Sequence, residues 1–281
     1  MKKVLTILLG LVYVATFAQG DIISAADAAK LIKSDKNLKI IDASKGKVYE
    51  AAHLKNAIRV NHKDLYQSGD VPGLIKSPKE LANYFGAKGI SEKNTILVYD
   101  EGSQKYSCRV YWILKYLGAP NVKILHKDNS AWKKARLIQT SQKPRISKTV
   151  FTPHVNPAVY ATLEETEKAT KDAGTVIIDA REAESYTGAN EESDGHIPTA
   201  VNIPWKEVET ATGAFKSKDQ LAKIFTAKGV TAGKKVIVYC ATGIKAAVVY
   251  TALTQVMGYK NVKLYDGAYE EWWSLYKPLV K

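Results

Sequence analysis

Short runs of β-branched and apolar residues alternate along this chain with longer segments of helical periodicity. Four of the runs have the character of strands buried on both faces: Ile40–Ile41, Ile96–Tyr99, Val176–Ile178 and Val236–Tyr239. Between them lie amphipathic patterns such as SKDQLAKIFTAKG, with Ser217 as N-cap and Gly229 just past the end. This alternation predicts an α/β fold with mostly parallel sheets flanked by helices, in which ligands bind beyond the carboxyl ends of the strands.

The pattern occurs twice. LKIIDAS at 38–44 returns as TVIIDAR at 175–181, and AHLKNAIRVN at 52–61 returns as GHIPTAVNIP at 195–204. TILVYD at 95–100 returns as KVIVYC at 235–240, and NVKILHKDNSAW at 121–132 returns as NVKLYDGAYEEW at 261–272. A polar segment with prolines, TSQKPRISKTVFTPHVNP, joins the two copies. The duplication predicts two tandem domains, residues 19–148 and 149–281.

The first eighteen residues have the composition of a secretory signal peptide. Lys2 and Lys3 precede an apolar run that ends at Ala18, and TFA before Gln19 resembles a small-residue cleavage site. The run is short for a transmembrane span. We therefore expect residues 1–18 to be removed and the mature protein to be exported, periplasmic or secreted, with no stable membrane span. An uncleaved N-terminal anchor is the alternative.

Charge and cysteine usage argue against several classes of function. The formal net charge is +13, and most of it comes from lysines spread along the chain. Without a basic cluster interleaved with aromatic residues, this charge does not point to a nucleic-acid partner, although it favours small anionic substrates. Cys108 and Cys240, the two cysteines, form no CxxC pair and no Cys/His spacing typical of a metal site. We expect a monomer.

Cys240 stands at the tip of a predicted strand, in the stretch VIVYCATGIKAAVVY. A short turn with Gly243 follows, and a helical pattern begins near Lys245. Backbone N–H groups and the helix dipole at such a helix start would stabilise a thiolate on Cys240. A buried structural cysteine is the alternative. In the first copy the equivalent residue is Asp100, in an acidic turn that we expect to repel an anion.

Arg181 follows a strand of the second copy, at the same edge of the predicted sheet as Cys240. If the two strands are neighbours, its guanidinium can reach over the loop and bind an oxyanion. The first copy has Ser44 at this place, so cysteine and arginine are absent together. An ion pair with Glu182 or Glu184 is the alternative.

Four other residues are interpreted as structural. Cys108 corresponds to Val248 of the second copy, which is a helix-packing position, and Asp179 is expected to brace the loop backbone. His53 and His196 occupy matching places in both copies, so neither is specific to the copy that has the cysteine.

Together these segments resemble the tandem-domain rhodaneses, that is, thiosulfate or 3-mercaptopyruvate sulfurtransferases. The resemblance rests on VIIDAR, GHIPTAVNIPW, CATGIK and NVKLYDGAYEEW, in that order, and covers almost all of the mature chain. It implies two rhodanese-like domains, an inactive first copy and a catalytic second copy. It also implies transfer of a sulfane sulfur from a small anionic donor to a thiophilic acceptor, such as cyanide or a thiol, through a Cys240 persulfide. The resemblance implies no metal or organic cofactor.

The resemblance implies that Cys240 is the catalytic residue. We expect Arg181, from its place at the strand end, and Lys245, whose charge lies where many members have Thr, Ser or Arg, to bind the substrate. The rest of the active-site loop is Ala241, Thr242, Gly243 and Ile244. Thiosulfate-preferring members usually have basic residues directly after the cysteine, which this chain lacks. Mercaptopyruvate-preferring members usually have a second arginine where this chain has Ser185. The sequence therefore leaves the choice between the two donors open.

Two alternatives to a sulfurtransferase are a cysteine phosphatase and a persulfide carrier. Loop length distinguishes the first, and turnover distinguishes the second. A cysteine phosphatase of the same fold needs Cys-x5-Arg, but the sixth residue after Cys240 is Ala246. The shorter loop suits a sulfur atom better than a phosphate. A module that carries a persulfide for a partner without turnover would have the same sequence features as an enzyme.

Overall fold

The computed structural model describes residues 20–126, 129–191 and 193–281, so the predicted signal peptide, residues 1–18, lies outside the described residues. The chain forms two five-stranded sheets, and every pairing within them is parallel. Helices flank both sheets. The predicted α/β fold with two mostly parallel sheets is therefore confirmed. Over these ranges no helix is both long enough and apolar enough to cross a membrane.

The first domain contains the strands β1 to β7 and the helices α1 to α5. The strands are β1 (Ile22–Ile23), β2 (Leu38–Asp42), β3 (His53–Leu54), β4 (Ala57–Arg59), β5 (Thr95–Tyr99), β6 (Val122–Leu125) and β7 (Gln139–Thr140). The helices are α1 (Ala25–Ser34), α2 (Gly46–Ala51), α3 (Pro78–Ala87), α4 (Lys105–Tyr116) and α5 (Asn129–Lys134). The strand order is β1-β6-β5-β2-β4, and β3 and β7 form a separate antiparallel pair.

The second domain repeats this plan with the strands β8 to β12 and the helices α6 to α10. The strands are β8 (Tyr160–Ala161), β9 (Thr175–Asp179), β10 (Val201–Asn202), β11 (Lys235–Tyr239) and β12 (Val262–Tyr265). The helices are α6 (Leu163–Ala169), α7 (Ala183–Thr187), α8 (Lys218–Ala227), α9 (Ile244–Thr251) and α10 (Ala268–Ser274). The order β8-β12-β11-β9-β10 matches the first sheet strand for strand.

Local sequence signals explain where several helices begin and end. The Ser217 side chain accepts a hydrogen bond from the backbone N–H of Gln220, and the Gln220 side chain accepts one from the backbone N–H of Ser217. This capping box satisfies two N–H groups that the start of α8 would otherwise leave unpaired. Gly229 follows the helix with φ of +72°, a conformation that suits glycine. The predicted cap and stop of this helix are confirmed.

One continuous apolar core runs through both domains. It contains the inner faces of both sheets, and α4 packs against α9 across the domain interface. The linker also packs on the first domain, because the backbone N–H groups of Thr149, His154 and Asn156 donate to carbonyl groups of that domain. The predicted boundary between residues 148 and 149 falls inside this linker and stays a prediction. The two domains are therefore packed together along an extensive apolar surface.

Each domain also covers the strand-tip loop of the other. A hairpin of the first domain, closed by a bridge between Tyr66 and Ile75, lies on the loop that follows β11. A hairpin of the second domain, closed by a bridge between Glu209 and Phe215, lies on the loop that follows β5, where the Gln104 side chain donates to Glu209. The loops that matter for function are thus enclosed at the domain interface.

Candidate active site

Cys240 directly follows β11 and is 1% exposed. Its carbonyl oxygen accepts a hydrogen bond from the backbone N–H of Tyr269 at 2.9 Å, so the loop is tied to the first turn of α10. Gly243, the N-cap of α9, has φ of +76°, which lets the chain turn sharply into the helix. The strand-tip position of the cysteine before a helix start is as predicted, and the helix begins at Ile244.

The matching loop of the first domain shows what such a loop binds. The Asp100 carboxylate accepts backbone N–H groups from Gly102 at 2.7 Å, Gln104 at 3.0 Å, and Tyr106 and Ser107 at 3.1 Å each. Two of these amides donate to each carboxylate oxygen, so all four surround one anionic group, as in other backbone anion sites. We expected this acidic loop to repel an anion; instead, the protein's own carboxylate occupies the anion position.

The loop of the second domain is one residue shorter than that of the first. Five residues, 100–104, separate β5 from α4, whereas four residues, 240–243, separate β11 from α9. A π-helical segment at Ala252–Val256 follows α9 and accommodates one additional residue. The loop and the helix together therefore have the same length in the two domains. This compensation shifts the structural match of Cys108 from the predicted Val248 to Ala247.

Arg181 follows β9 by two residues, and β9 pairs with β11, where Asp179 lies opposite Tyr239. Each of its three nitrogens already donates to a protein acceptor. The acceptors are the Asp179 carboxylate, the Ser193 hydroxyl and the Gly195 carbonyl, at distances of 2.6 to 3.1 Å. The side chain is 4% exposed. Arg181 therefore forms an internal ion pair, the alternative that the sequence left open, but with Asp179 and not with the neighbouring glutamates.

Strand alternation explains why the guanidinium turns away from the sulfur. Cys240 and Ala180 belong to the core shared by the two domains, whereas Tyr239 belongs to the separate core on the opposite face of the sheet. Arg181 stacks on that opposite face, with its guanidinium carbon 4.0 Å from the centre of the Tyr269 ring. Substrate binding by Arg181 stays a prediction. The predicted bracing role of Asp179 agrees with its bond to the backbone N–H of Arg181 at 2.9 Å.

Lys245 lies in the first turn of α9, at the rim of the loop, and its side chain is 38% exposed. Its ammonium nitrogen is 3.8 Å from the Glu182 carboxylate, which Lys206 also approaches, at 3.7 Å. The indole of Trp205 donates to the same carboxylate. Lys245 is thus the predicted substrate-binding residue that remains accessible, although it shares a partner with a second lysine.

The interpretation of the other singled-out residues as structural agrees with their surroundings. His53 stacks on Tyr49 and bonds its carbonyl at 2.7 Å, and His196 does the same with Tyr186 at 2.9 Å. Cys108 is fully buried in the shared core, and burial raises the pKa of its thiol well above the usual value. Both cysteines are free thiols. A thiol with a raised pKa is unreactive. Cys240 is the cysteine that lies between a strand end and a helix start, so it is the candidate nucleophile.

Residues of the first domain complete the site, and sequence reasoning missed them. An added Cβ on Gly73 would lie 2.6 Å from the Thr242 carbonyl oxygen, so the two segments are in direct contact. Arg109 of α4 lies against Gly243. One signal was available for Arg109: it is an arginine inside the otherwise apolar helical run SCRVYWIL. A buried arginine in such a run needs a polar destination.

Comparisons with known proteins agree with this arrangement of two domains and one cysteine loop. A family model described as a rhodanese-like domain matches residues 24–135 and 162–275. The 3-mercaptopyruvate sulfurtransferase of Escherichia coli (strain K12) is 30% identical over 237 residues, which cover 82% of this chain and 84% of that protein. A protein of Synechococcus elongatus, provisionally named a thiosulfate sulfurtransferase, is 31% identical over 254 residues, which cover 85% and 78%.

A solved structure extends the similarity to the whole fold. The crystal structure of SseA from Escherichia coli, described as a 3-mercaptopyruvate sulfotransferase, matches with a TM-score of 0.80 at 29% identity. The match covers 89% of this chain and 99% of that one. The chain therefore belongs to the rhodanese family, as its sequence motifs indicated. Its relatives carry the names of sulfurtransferases, which is the enzyme class that the sequence predicted.

Proposed function

We propose that this protein is a sulfurtransferase in which Cys240 carries the transferred sulfur. The observation that supports it most is the pair of equivalent loops. In one, backbone N–H groups surround the carboxylate of Asp100; in the other, Cys240 follows the matching strand. A loop of this kind stabilises negative charge at its centre, so a sulfur placed there is favoured as a thiolate and as a persulfide.

The proposed reaction has two half-reactions that restore the enzyme. The Cys240 thiolate attacks the outer sulfur of thiosulfate, the sulfur–sulfur bond of the donor breaks, and sulfite leaves with the bonding electron pair. Cys240 is then a persulfide. Cyanide or a thiolate attacks the outer sulfur, takes it as thiocyanate or as a new persulfide, and returns Cys240 to the thiolate. The sulfur moves without an external oxidant or reductant.

A second donor, 3-mercaptopyruvate, is supported by different observations. Here the carbon–sulfur bond breaks, and the enolate of pyruvate leaves and takes a proton. Ala241 and Thr242 are uncharged, as in members that prefer this donor, and the Escherichia coli relative is named for it. Thiosulfate is supported by the accessible positive charge of Lys245 at the rim of the loop. A dianion gains more from that charge than a monoanion does.

Initial rates on one preparation test the proposal, with thiosulfate and 3-mercaptopyruvate compared under the same conditions and with cyanide as acceptor. We expect turnover with both donors and a higher kcat/KM with thiosulfate. The reverse ratio would assign the protein to mercaptopyruvate. A persulfide that forms on Cys240 but is not turned over with any acceptor would instead make the protein a sulfur carrier.

We further propose that the protein is exported and that cleavage after Ala18 releases a mature chain beginning at Gln19. The charged, apolar and small-residue regions of the first eighteen residues support this proposal. N-terminal sequencing of protein recovered from an exporting host tests it. Recovery of the chain with Met1 in place would contradict it.

We also propose that the protein acts as a monomer. Gly73 and Arg109 of the first domain and the Cys240 loop of the second meet within one chain, so the site needs no partner subunit. Light scattering coupled to gel filtration tests this, with a mass of one chain expected across the concentrations used in activity assays. A mass of two chains would contradict it.

A further inference from the structure

Arg109 is a fully buried charge at the interface of the two domains. It belongs to α4 of the first domain and is 0% exposed, and its guanidinium carbon lies 5.4 Å from the centre of the Tyr66 ring and 4.9 Å from that of Trp112. One of its nitrogens, Nη2, donates to the Gly73 carbonyl at 2.8 Å and to the Asp266 carboxylate. The ion pair with Asp266 joins the first domain to the second.

Two of the three guanidinium nitrogens, Nε and Nη1, are buried without a hydrogen bond of good geometry, although the Tyr66 hydroxyl lies close to the guanidinium. Buried donors without a partner are rare, and they are especially unfavourable on a charged group. Such a group is retained where it faces charge that develops during function. The unpaired nitrogens therefore indicate that Arg109 can stabilise a second negative charge in addition to that of Asp266.

The unpaired side of Arg109 faces the loop that carries Cys240. An added Cβ on Gly243 would lie 2.9 Å from Nη1 and 3.2 Å from the guanidinium carbon, so the loop backbone rests directly on the cation. The Gly73 turn that Arg109 holds contacts Thr242, the next residue of the same loop. The cation and the turn it holds thus contact consecutive residues of the loop.

Three titratable groups around the guanidinium come from two segments of the chain. Asp266 follows β12, while Tyr66 and His62 come from the first-domain segment before the Gly73 turn. Burial raises the pKa of Tyr66 to about 12, and burial lowers the pKa of His62 to about 4, so both are neutral near pH 7. Asp266 is then the one anion among these three groups, and it is engaged by Nη2. Charge on the Cys240 sulfur would be the second anion near the cation.

We propose that Arg109 is a positioning residue of the Cys240 site, supplied by the first domain, and that it stabilises negative charge on the sulfur from beneath the turn at Gly243. The inference deepens the proposed function and rests on it. The matching position of the second domain is Val248, which offers no charge to the Asp100 loop in return. That loop already contains its anion and its amide donors, so it needs no cation. The first domain has thus lost the cysteine but keeps the cation for the cysteine of the second.

The test measures the pH dependence of Cys240 alkylation by iodoacetamide, without any sulfur donor, in a Cys108→Ser background. Arg109→Met should move the pH of half-maximal alkylation upward by about one unit or more, because a nearby positive charge favours the thiolate. Arg109→Lys should recover part of the shift. The rate constant for persulfide formation at pH 7 should fall by about tenfold or more in Arg109→Met.

A double variant separates this effect from unfolding. Arg109→Met leaves Asp266 buried without its partner, so Arg109→Met with Asp266→Asn removes both charges together. Circular dichroism and urea unfolding establish that the double variant is folded. Asp266→Asn alone, which keeps the cation, is the reference for the double variant. If the folded double variant alkylates with the same pH profile as Asp266→Asn, the inference is wrong. Because alkylation needs no donor, a protein that shifts as expected but transfers no sulfur would contradict the proposed function and leave the inference intact.

Discussion

Gly73 of the first domain lies directly against Thr242 in the Cys240 loop of the second. An added Cβ on Gly73 would be 2.6 Å from the carbonyl oxygen of Thr242 and 2.8 Å from the Cβ of Thr242. Gly73 also has φ of +83°. Real Cβ atoms do not approach backbone oxygens this closely, so a side chain here must move the loop. The geometry of the loop therefore depends on how the first domain is docked.

Gly73→Ala should lower kcat/KM by at least about tenfold, since displacement of the loop by even an ångström misplaces the nucleophile. Gly229→Ala is the matched control: Gly229 has φ of +72° but nothing within 4 Å of the added Cβ. Both variants should lose about 1 kcal/mol or more of stability through backbone strain. Steady-state kinetics and urea unfolding on both variants measure the difference. Equal activity in the two variants would show that the contact with Thr242 has no influence on the site.

Arg181 should contribute to the stability of the fold more than to substrate binding. Arg181→Met leaves the buried Asp179 carboxylate without its cation, which costs about 3 to 5 kcal/mol. The double variant Arg181→Met with Asp179→Asn should recover a large part of that loss. Urea unfolding measures both. If Arg181→Met keeps the stability of the parent and instead raises KM for either donor, Arg181 binds substrate as the sequence predicted.

Lys245 and Lys206 offer a matched pair at the rim, because both approach the same oxygen of Glu182. We expect Lys245→Met to lower kcat/KM for thiosulfate about 3- to 10-fold and for mercaptopyruvate less, since an exposed charge is worth about 1 kcal/mol. Lys206→Met should have little effect, because Lys206 lies outside the loop. The difference should shrink as salt is added. The same small loss in both variants would mean that Lys245 has no specific role in donor binding.

His62 should make the protein less stable in mild acid. Burial, with smaller contributions from Lys63 and Arg109, lowers the pKa of His62 from 6.5 to about 4. Between these values the unfolded chain binds a proton that the folded protein does not, so stability decreases as pH falls from 6.5 to 4, by up to about 3 kcal/mol. The stability is fully present above pH 6.5.

Urea unfolding at pH 7.0 and 4.5 measures this contribution. His62→Phe keeps a ring to stack on Tyr106, which lies 4.3 Å away, and should reduce the loss of stability between the two pH values. His154→Asn, at an exposed histidine, is the control and should leave the loss unchanged. An unchanged pH dependence in His62→Phe would show that His62 does not contribute to acid sensitivity.

Much of the fold could be predicted from the sequence because its signals are local and occur twice. Strand runs such as Val236–Tyr239 and the cap at Ser217 depend on neighbouring residues, and the repeat supplied an independent check. The shorter loop before α9 remained hidden, because the π-helical segment after that helix restores the constant spacing of the two copies. The shorter loop and the additional helical residue cancel, so the spacing of the two copies reveals neither of them.

The site was predicted only in part, and the reasons are physical. Cys240 was identified because strand tip and helix start are adjacent in the sequence. The direction of the Arg181 side chain depends on strand alternation, which places it on the face opposite the sulfur. Gly73 and Arg109 reach the loop through the docking of two domains, and no local pattern encodes that contact.

Mass spectrometry of the protein after treatment with thiosulfate, without acceptor or reductant, tests the central claim most directly. We predict one added sulfur atom on the peptide that contains Cys240, its loss on addition of cyanide, and neither the added sulfur nor turnover in Cys240→Ser. Cys108→Ser should still accept the sulfur, because Cys108 belongs to α4 of the first domain and not to the Cys240 loop. Sulfur found on the Cys108 peptide, or turnover that survives in Cys240→Ser, would contradict the account.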